Sequence, residues 1–62
     1  MRYVTTADGT RSRVLVVDDE PMVLEVVTTY LERDGYSVAT ATTGKDALAA
    51  LERHRPDLVV LD

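Results

Sequence analysis

The sequence predicts a small α/β domain in which strands and helices alternate as β-α-β-α-β around a three-stranded parallel sheet. Two short apolar runs, VLVV at 14–17 and LVVL at 58–61, have the pattern of strands that are covered on both faces. Between them lie two segments with helical periodicity and one weaker strand pattern. Alternating elements with short connections form parallel sheets with right-handed crossovers, so we expect one helix on each face.

The first predicted helix runs from Pro21 to Asp34. Proline is favoured in the first helical turn because its missing N–H costs nothing there, and Asp19 or Glu20 can cap the helix. Gly35 follows and can adopt the left-handed conformation that ends many helices. The predicted apolar stripe of this helix consists of Val23, Val26, Val27, Tyr30 and Leu31.

The second strand pattern, residues 36–40, is less apolar and therefore predicts a strand at the edge of the sheet. Thr43 then opens the second helix, with Asp46 three residues later in a near capping box. Cations gather at the end of this helix, where the helix dipole favours them, and Pro56 prevents the helix from continuing. Its predicted apolar stripe consists of Ala47, Leu48 and Leu51.

The 62 residues allow one small domain. Residues 1–12 are polar and contain the turn signal Asp8-Gly9, so we expect a flexible leader there and a folded unit at 13–62. The chain has no cysteine, which excludes disulfides and zinc–thiolate sites. A domain of this size buries only about 60% of the surface of its unfolded chain, so its stability is marginal.

Composition and charge exclude several classes of function. The net charge of -4 argues against a nucleic-acid surface in this segment, because phosphate binding needs clustered Lys and Arg. No apolar stretch approaches the about 20 residues of a membrane span, and the N-terminus has no signal-peptide core. We therefore expect a cytoplasmic protein that contacts neither nucleic acid nor membrane through this segment.

Acidic residues follow the first and the last predicted strand. Asp18, Asp19 and Glu20 come directly after the first strand, and Asp62 comes directly after the last. The carboxyl ends of parallel strands meet at one edge of the sheet, where the functional crevice of such folds lies. Carboxylates held together repel one another and suit a hard cation, Mg²⁺ or Mn²⁺. One of them can also act as a nucleophile that carries a phosphoryl group.

Simpler interpretations of these residues stay open at this point. Asp18 and Asp19 could form only a helix cap and a turn, and Asp62 alone could be any acid at the end of a strand. The stretch TTGKD at 42–46 lacks the earlier glycine and the Ser or Thr after lysine that a phosphate-binding loop needs. His54 is the only histidine and is best interpreted as a solvated residue at a helix end.

Three segments in order, RVLVVDDEP, GYSVATATTGKDAL and PDLVVLD, resemble the first half of a response-regulator receiver domain from bacterial two-component signalling. The resemblance covers residues 13–62. It implies a partial flavodoxin-like fold and a non-enzymatic module that takes a phosphoryl group from a sensor histidine kinase. By position, Asp62 resembles the phosphoacceptor, Asp19 the direct Mg²⁺ ligand and Asp18 the acid that holds the ion largely through water. Glu20 stands at a variable position, for which no role is implied.

A complete receiver has five strands and five helices, whereas these residues account for three strands and two helices. We therefore expect that this truncated chain transfers phosphoryl groups inefficiently. We also expect the last strand to expose its outer edge, so that self-association, as a homodimer or a higher oligomer, completes the sheet. Two alternatives remain: a receiver-like dimerisation or interaction module that is not phosphorylated, and a metal-dependent phosphohydrolase. The phosphohydrolase fits the acid pair less well.

Overall fold

A computed structural model describes residues 13–61 in full and the backbone of residues 2–5. The elements alternate as the sequence predicts, and one further strand precedes them. They are β1 (Arg2–Thr5), β2 (Arg13–Val17), α1 (Pro21–Arg33), β3 (Ser37–Ala41), α2 (Gly44–His54) and β4 (Leu58–Leu61).

The strands form one sheet in the order β1-β4-β2-β3. β2 lies between β3 and β4 and runs parallel to both, so that Val17 stands opposite Ala41 on one side and Leu61 on the other. The predicted three-stranded parallel sheet, with its partial flavodoxin-like arrangement, is therefore confirmed. The prediction that β3 lies at an edge is also confirmed, because no described strand pairs with its outer side.

β1 pairs with the outer side of β4 in antiparallel orientation, from Arg2 opposite Leu61 to Thr5 opposite Leu58. The flexible leader predicted for 1–12 is thus replaced at 2–5 by a paired strand, while 6–12 lie outside the described residues. The expectation that β4 exposes its outer edge is wrong, since β1 covers that edge. Tyr, Val and Thr all favour strands, but a four-residue run without a supporting pattern gives little signal in sequence.

Each face of the sheet carries one helix and one apolar cluster. On the α1 side, the buried members are Val14, Val16, Leu24 and Val60. On the α2 side, they are Leu15, Val59 and Ala41. Val14, Leu15 and Val16 are essentially inaccessible to solvent, so consecutive residues of β2 are buried on opposite faces. This confirms the two-sided cover inferred from the continuous apolar run.

The buried face of α1 differs from the predicted stripe. Leu24 is the buried residue of this helix, and Val27 and Leu31 pack beside it. Val26 and Tyr30, which were predicted to face the core, are 55% and 64% exposed. The stretch MVLEVV at 22–27 is apolar around most of the helix circumference, so periodicity alone does not select one face.

α1 and α2 both end in left-handed backbone conformations. Asp34 caps α1 and Gly35 follows with φ of 94°, a conformation that glycine adopts without steric cost. α2 ends at His54, and the next residue, Arg55, has φ of 47°. The N–H of Arg55 donates to the carbonyl of Leu51 at 3.1 Å, which satisfies one of the terminal carbonyls of the helix.

α2 begins with the capping interaction that the sequence predicts. The Thr43 hydroxyl accepts a hydrogen bond from the N–H of Asp46 at 3.1 Å. The helix packs on the sheet through its small residues and Leu51, namely Ala47, Ala50 and Leu51. Leu48 was predicted to join this stripe but is 66% exposed. Alanine at position 50 thus takes the place in the interface that the pattern assigned to Leu48.

Leu24 in α1 is buried and Leu48 in α2 is exposed, so the two leucines provide a matched test of this packing. We expect Leu24→Ala in α1 to lower the free energy of unfolding by about 2–4 kcal/mol, because it leaves a cavity in the core. The same change at Leu48 in α2 should cost less than about 1 kcal/mol, since that side chain is mostly solvated. Urea unfolding followed by circular dichroism measures both, and equal costs would contradict the assigned faces.

Candidate functional site

A short acidic turn, residues 18–20, connects β2 to α1 at the carboxyl edge of the sheet. Its first residue, Asp18, continues the pairing with β3, because its N–H donates to the carbonyl of Ala41 at 3.1 Å. The turn then leaves the sheet, and the carbonyl of Glu20 accepts from the N–H groups of Val23 and Leu24 at 3.0 and 3.2 Å. The turn thus joins the buried central strand directly to the first turn of α1.

Asp18 is the only buried polar or charged residue in the described part of the chain, with 3% of its surface exposed. Its Oδ1 accepts a hydrogen bond from the N–H of Glu20 at 2.9 Å, which fixes the shape of the turn. Its Oδ2 is buried and has no hydrogen-bond partner among the described residues. Burying a carboxylate oxygen without a partner is costly, so this atom requires a cation, a proton or a donor from elsewhere.

Asp19 and Glu20 are exposed, in contrast to Asp18. Glu20 occupies the N-cap position of α1, but its side chain makes no capping hydrogen bond. The predicted side-chain cap by Asp19 or Glu20 is therefore absent, and Pro21 at the first helical position reduces the need for one, since it has no N–H to satisfy. Asp19 stays available to a ligand from solvent.

β4 ends beside this turn. Leu61, its last residue, pairs with Val17, the residue that directly precedes Asp18. The first and last strands of the parallel sheet are therefore neighbours. Asp62 follows Leu61 in sequence but lies outside the described residues, so its role as phosphoacceptor and metal ligand stays a prediction.

The oxygen donors of the acidic turn fit Mg²⁺ or Mn²⁺. Asp18 contributes a buried oxygen without a partner, and Asp19 contributes an exposed carboxylate. Hard divalent ions take such oxygen ligands and commonly retain several waters. Within residues 2–5 and 13–61, no group of three His, Cys, Asp or Glu could hold a metal ion. Asp62, which the resemblance implies as a further ligand, lies outside those residues.

His54 lies at the end of the sheet opposite the acidic turn. It is the last residue of α2, and its carbonyl accepts a hydrogen bond from Arg13 Nη1 at 3.4 Å, near the start of β2. At the same end, Arg13 and Asp57 are doubly linked: the Asp57 N–H donates to the Arg13 carbonyl at 2.8 Å, and the Arg13 N–H donates to Asp57 Oδ2 at 3.1 Å. These contacts are structural and are remote from the acidic turn.

Sequence reasoning treated Asp18 and Asp19 as a pair and did not anticipate how differently they are placed. The available signal was position: Asp18 directly follows a strand buried on both faces, so its backbone remains within the sheet. Asp19 is one residue further along the turn.

We also find no helix among the described residues that is long and apolar enough to span a membrane.

Comparison with known proteins identifies one family. Residues 14–62 match the sequence profile of the response regulator receiver domain family. The chain is similar to the probable transcriptional regulatory protein TcrX of Mycobacterium tuberculosis, with 52% identity over 56 residues, which is 90% of this chain and 24% of that protein.

Two further relatives carry related names. The alkaline phosphatase synthesis transcriptional regulatory protein PhoP of Bacillus subtilis is 48% identical over 50 residues, which is 81% of this chain and 21% of that protein. The DNA-binding response regulator MtrA of Mycolicibacterium smegmatis is 46% identical over 55 residues, which is 89% of this chain and 24% of that protein. The chain thus spans about a quarter of the length of these relatives. No solved structure matches it.

The hydrogen bond from the Glu20 N–H to Asp18 Oδ1 generates a stability prediction. In metal-free buffer, we expect Asp18→Ala to be less stable than Asp18→Asn by about 1 kcal/mol, because only asparagine keeps an oxygen that can accept this bond. The same two substitutions at Asp19, which is exposed, should differ by less than about 0.5 kcal/mol. Urea unfolding in the presence of EDTA measures all four, and equal stability of the two Asp18 variants would contradict the role given to this bond.

Proposed function

The chain belongs to the response regulator receiver domain family, and we propose that Asp62 accepts a phosphoryl group from a sensor histidine kinase. We propose further that Asp18, Asp19 and Asp62 hold the Mg²⁺ that this transfer needs. The observation that carries the proposal is the pairing of Val17 with Leu61, because each of these residues directly precedes one of the acids concerned.

The chemistry is a displacement at phosphorus. A carboxylate oxygen of Asp62 attacks the phosphorus of the kinase phosphohistidine, an O–P bond forms, and the N–P bond breaks with its electron pair returning to the imidazole. Bound Mg²⁺ supplies positive charge that offsets the negative charge on the oxygens of the transferring phosphoryl group. The residues of this chain bind the ion and orient the acceptor.

The two acids of the turn have separate tasks in this scheme. Asp19 is exposed and would hold the ion as a direct ligand. Asp18 accepts the Glu20 N–H through Oδ1, so its buried Oδ2, which has no partner among the described residues, would be the oxygen that faces the ion. An ion beside Oδ2 removes the cost of burying that oxygen without a partner. Ion binding therefore explains why a carboxylate is buried at this position, which a role as a helix cap alone does not explain.

The names of the relatives suggest the kind of protein in which this receiver domain acts. Their names describe transcriptional regulators and a DNA-binding response regulator, and this chain matches about a quarter of their length. We propose that this receiver controls such a regulator in the cytoplasm and that DNA is contacted outside this segment. The net charge of -4 supports that division, because a surface for nucleic acid needs clustered positive charge.

Metal binding is tested by the stability that Mg²⁺ adds. At a Mg²⁺ concentration tenfold above its dissociation constant, we expect the free energy of unfolding to rise by about 1.4 kcal/mol. Asp18→Asn and Asp19→Asn should lose most of this gain, whereas Asp34→Asn, a matched change of an exposed acid at the far end of α1, should keep it. Melting curves in MgCl₂ and in NaCl of equal ionic strength separate ion binding from screening. An equal gain in the Asp19 variant would refute the site.

Phosphoryl transfer is tested with acetyl phosphate and Mg²⁺, followed by intact mass and mapping of the modified residue. We expect at most one phosphoryl group per chain, absent from Asp62→Asn and from samples with EDTA, and retained in Asp34→Asn. Rapid and near-complete modification would overturn the expectation of inefficient transfer while supporting Asp62. Equal modification of the Asp62 variant would overturn the assignment. The absence of both the modification and the Mg²⁺ gain in stability would favour the interaction module that is not phosphorylated.

A further inference from the structure

The side chains of β4 do not select one register of this strand against β2. β4 has the sequence LVVL, and its central residues, Val59 and Val60, are both buried although they face opposite sides of the sheet. In a strand with one polar face, a shift by one residue turns polar side chains into the core, and this penalty fixes the register. A shift of β4 exchanges apolar side chains for apolar ones at its centre, so packing distinguishes the registers only weakly.

A polar contact at the start of the two strands does distinguish the registers. Asp57, the residue before β4, binds both backbone groups of Arg13, the first residue of β2. The Asp57 N–H donates to the Arg13 carbonyl at 2.8 Å, and Asp57 Oδ2 accepts from the Arg13 N–H at 3.1 Å. The next residue, Leu58, pairs with Val14. The contact therefore stands directly before the first pair of the parallel ladder between β2 and β4.

The Arg13 side chain extends this contact to α2. Its Nη1 donates to the carbonyl of His54, the last residue of the helix, at 3.4 Å. Residues 55–57 connect α2 to β4, and within them Arg55 has the left-handed φ of 47° and Pro56 is buried. Proline fixes its own φ, so this short connection has few conformations. Arg13 thus contacts both the residue that precedes β4 and the helix that leads to it.

We propose that Asp57 is a positioning residue for phosphoryl transfer, because its carboxylate fixes the register of β4 that brings Asp62 beside the acidic turn. The inference rests on the proposed role of Asp62 as phosphoacceptor. Successive residues of a strand are about 3.3 Å apart and point to opposite faces of the sheet. A slip of β4 by one residue would move the acceptor by that distance and turn its side chain to the other face. Leu61 would then no longer stand opposite Val17.

The size of the effect follows from the hydrogen bond that Asp57 Oδ2 accepts. A bond of this kind, exposed to solvent, favours the register that forms it about two- to fivefold. Transfer requires the reacting atoms to lie about 3–3.5 Å apart, so copies in another register do not contribute to the rate. Removal of the bond should therefore slow the modification of Asp62 by about the same factor.

Three substitutions separate the register from general stability. Asp57→Ala removes the acceptor oxygen, whereas Asp57→Asn keeps an oxygen that can accept from the Arg13 N–H. Thr43→Ala is the matched control, because the Thr43 hydroxyl also accepts one backbone N–H, that of Asp46, at 3.1 Å. Its loss destabilises the chain to a similar extent but leaves the residues between α2 and β4 unchanged.

NMR of the metal-free chain reads the register from contacts between backbone protons of β2 and β4. We expect the contact of Val17 with Leu61 in the wild type, in Asp57→Asn and in Thr43→Ala. In Asp57→Ala, a second set of contacts should join Val17 to Val60 or to residue 62. In the wild type, the Arg13 amide should exchange at least about tenfold more slowly than in an unfolded chain, a readout that remains if Asp57→Ala does not fold.

Initial rates of modification by acetyl phosphate and Mg²⁺, followed by intact mass, connect the register to transfer. We expect Asp57→Ala to react about two- to fivefold more slowly than the wild type. Asp57→Asn and Thr43→Ala should react at the wild-type rate. Because the register is measured without metal or phosphodonor, it is determined even if the wild type is never modified, a result that would refute the proposed function and with it the positioning role.

Four other results would overturn the inference while the proposed function stands. The first is a folded Asp57→Ala variant in which Leu61 contacts Val17 as in the wild type, because packing alone would then fix the register. The second is an Asp57→Asn variant that behaves like Asp57→Ala, which would exclude the hydrogen bond as the cause. The third is an unprotected Arg13 amide in the wild type. The fourth is a shifted register in Asp57→Ala with an unchanged rate of transfer.

Discussion

The structure depends on one constraint: β2 is paired in parallel with a neighbour on each side and is covered by a helix on each face. A strand in this position can satisfy its backbone only through the two ladders and its side chains only through apolar packing. Val14, Leu15 and Val16 meet both demands and are essentially inaccessible. The chain must then leave the sheet at a defined place, and the residue that stands there is Asp18.

Burial of β2 therefore determines the chemistry of the turn that follows it. Asp18 is close enough to the buried strand to be nearly inaccessible, yet its carboxylate satisfies only one backbone N–H. The remaining oxygen is an unsatisfied group that a folded domain of this size tolerates only with some compensation, because the total stability of such a domain is about 3–9 kcal/mol. The cation that we propose for this turn would provide that compensation.

The sequence predicted those parts of the fold in which a local pattern has one physical meaning. VLVV and LVVL indicate buried parallel strands because short strands of a parallel sheet are apolar on both faces. Thr43 followed by Asp46 indicates a helix start, because the Thr43 hydroxyl accepts the N–H of Asp46, which has no partner within the helix. The face of α1 could not be predicted in the same way. Val26 and Leu24 are both apolar, and only the position of the sheet decides that Leu24 is buried.

The candidate site was predictable in outline for a related reason. Parallel strands bring their carboxyl ends together whatever the side chains are, so the neighbouring positions of Val17 and Leu61 follow from topology. The difference in burial between Asp18 and Asp19 does not follow from topology, because it depends on where the turn leaves the sheet. The sequence pattern did not predict β1, because this strand is formed by pairing with β4, which is distant in sequence. A pattern of four residues contains no information about such a partner.

β4 takes part in two ladders, which use opposite edges of the same strand. The inner ladder with β2 places the end of β4 beside the acidic turn, whereas the outer ladder presents backbone N–H and carbonyl groups to β1. The inner ladder lies between two helices and opens only with the core. Among the described residues, β1 is the strand that forms the outer ladder. The position of the strand end beside the acidic turn therefore depends on the inner ladder, in which Leu61 pairs with Val17.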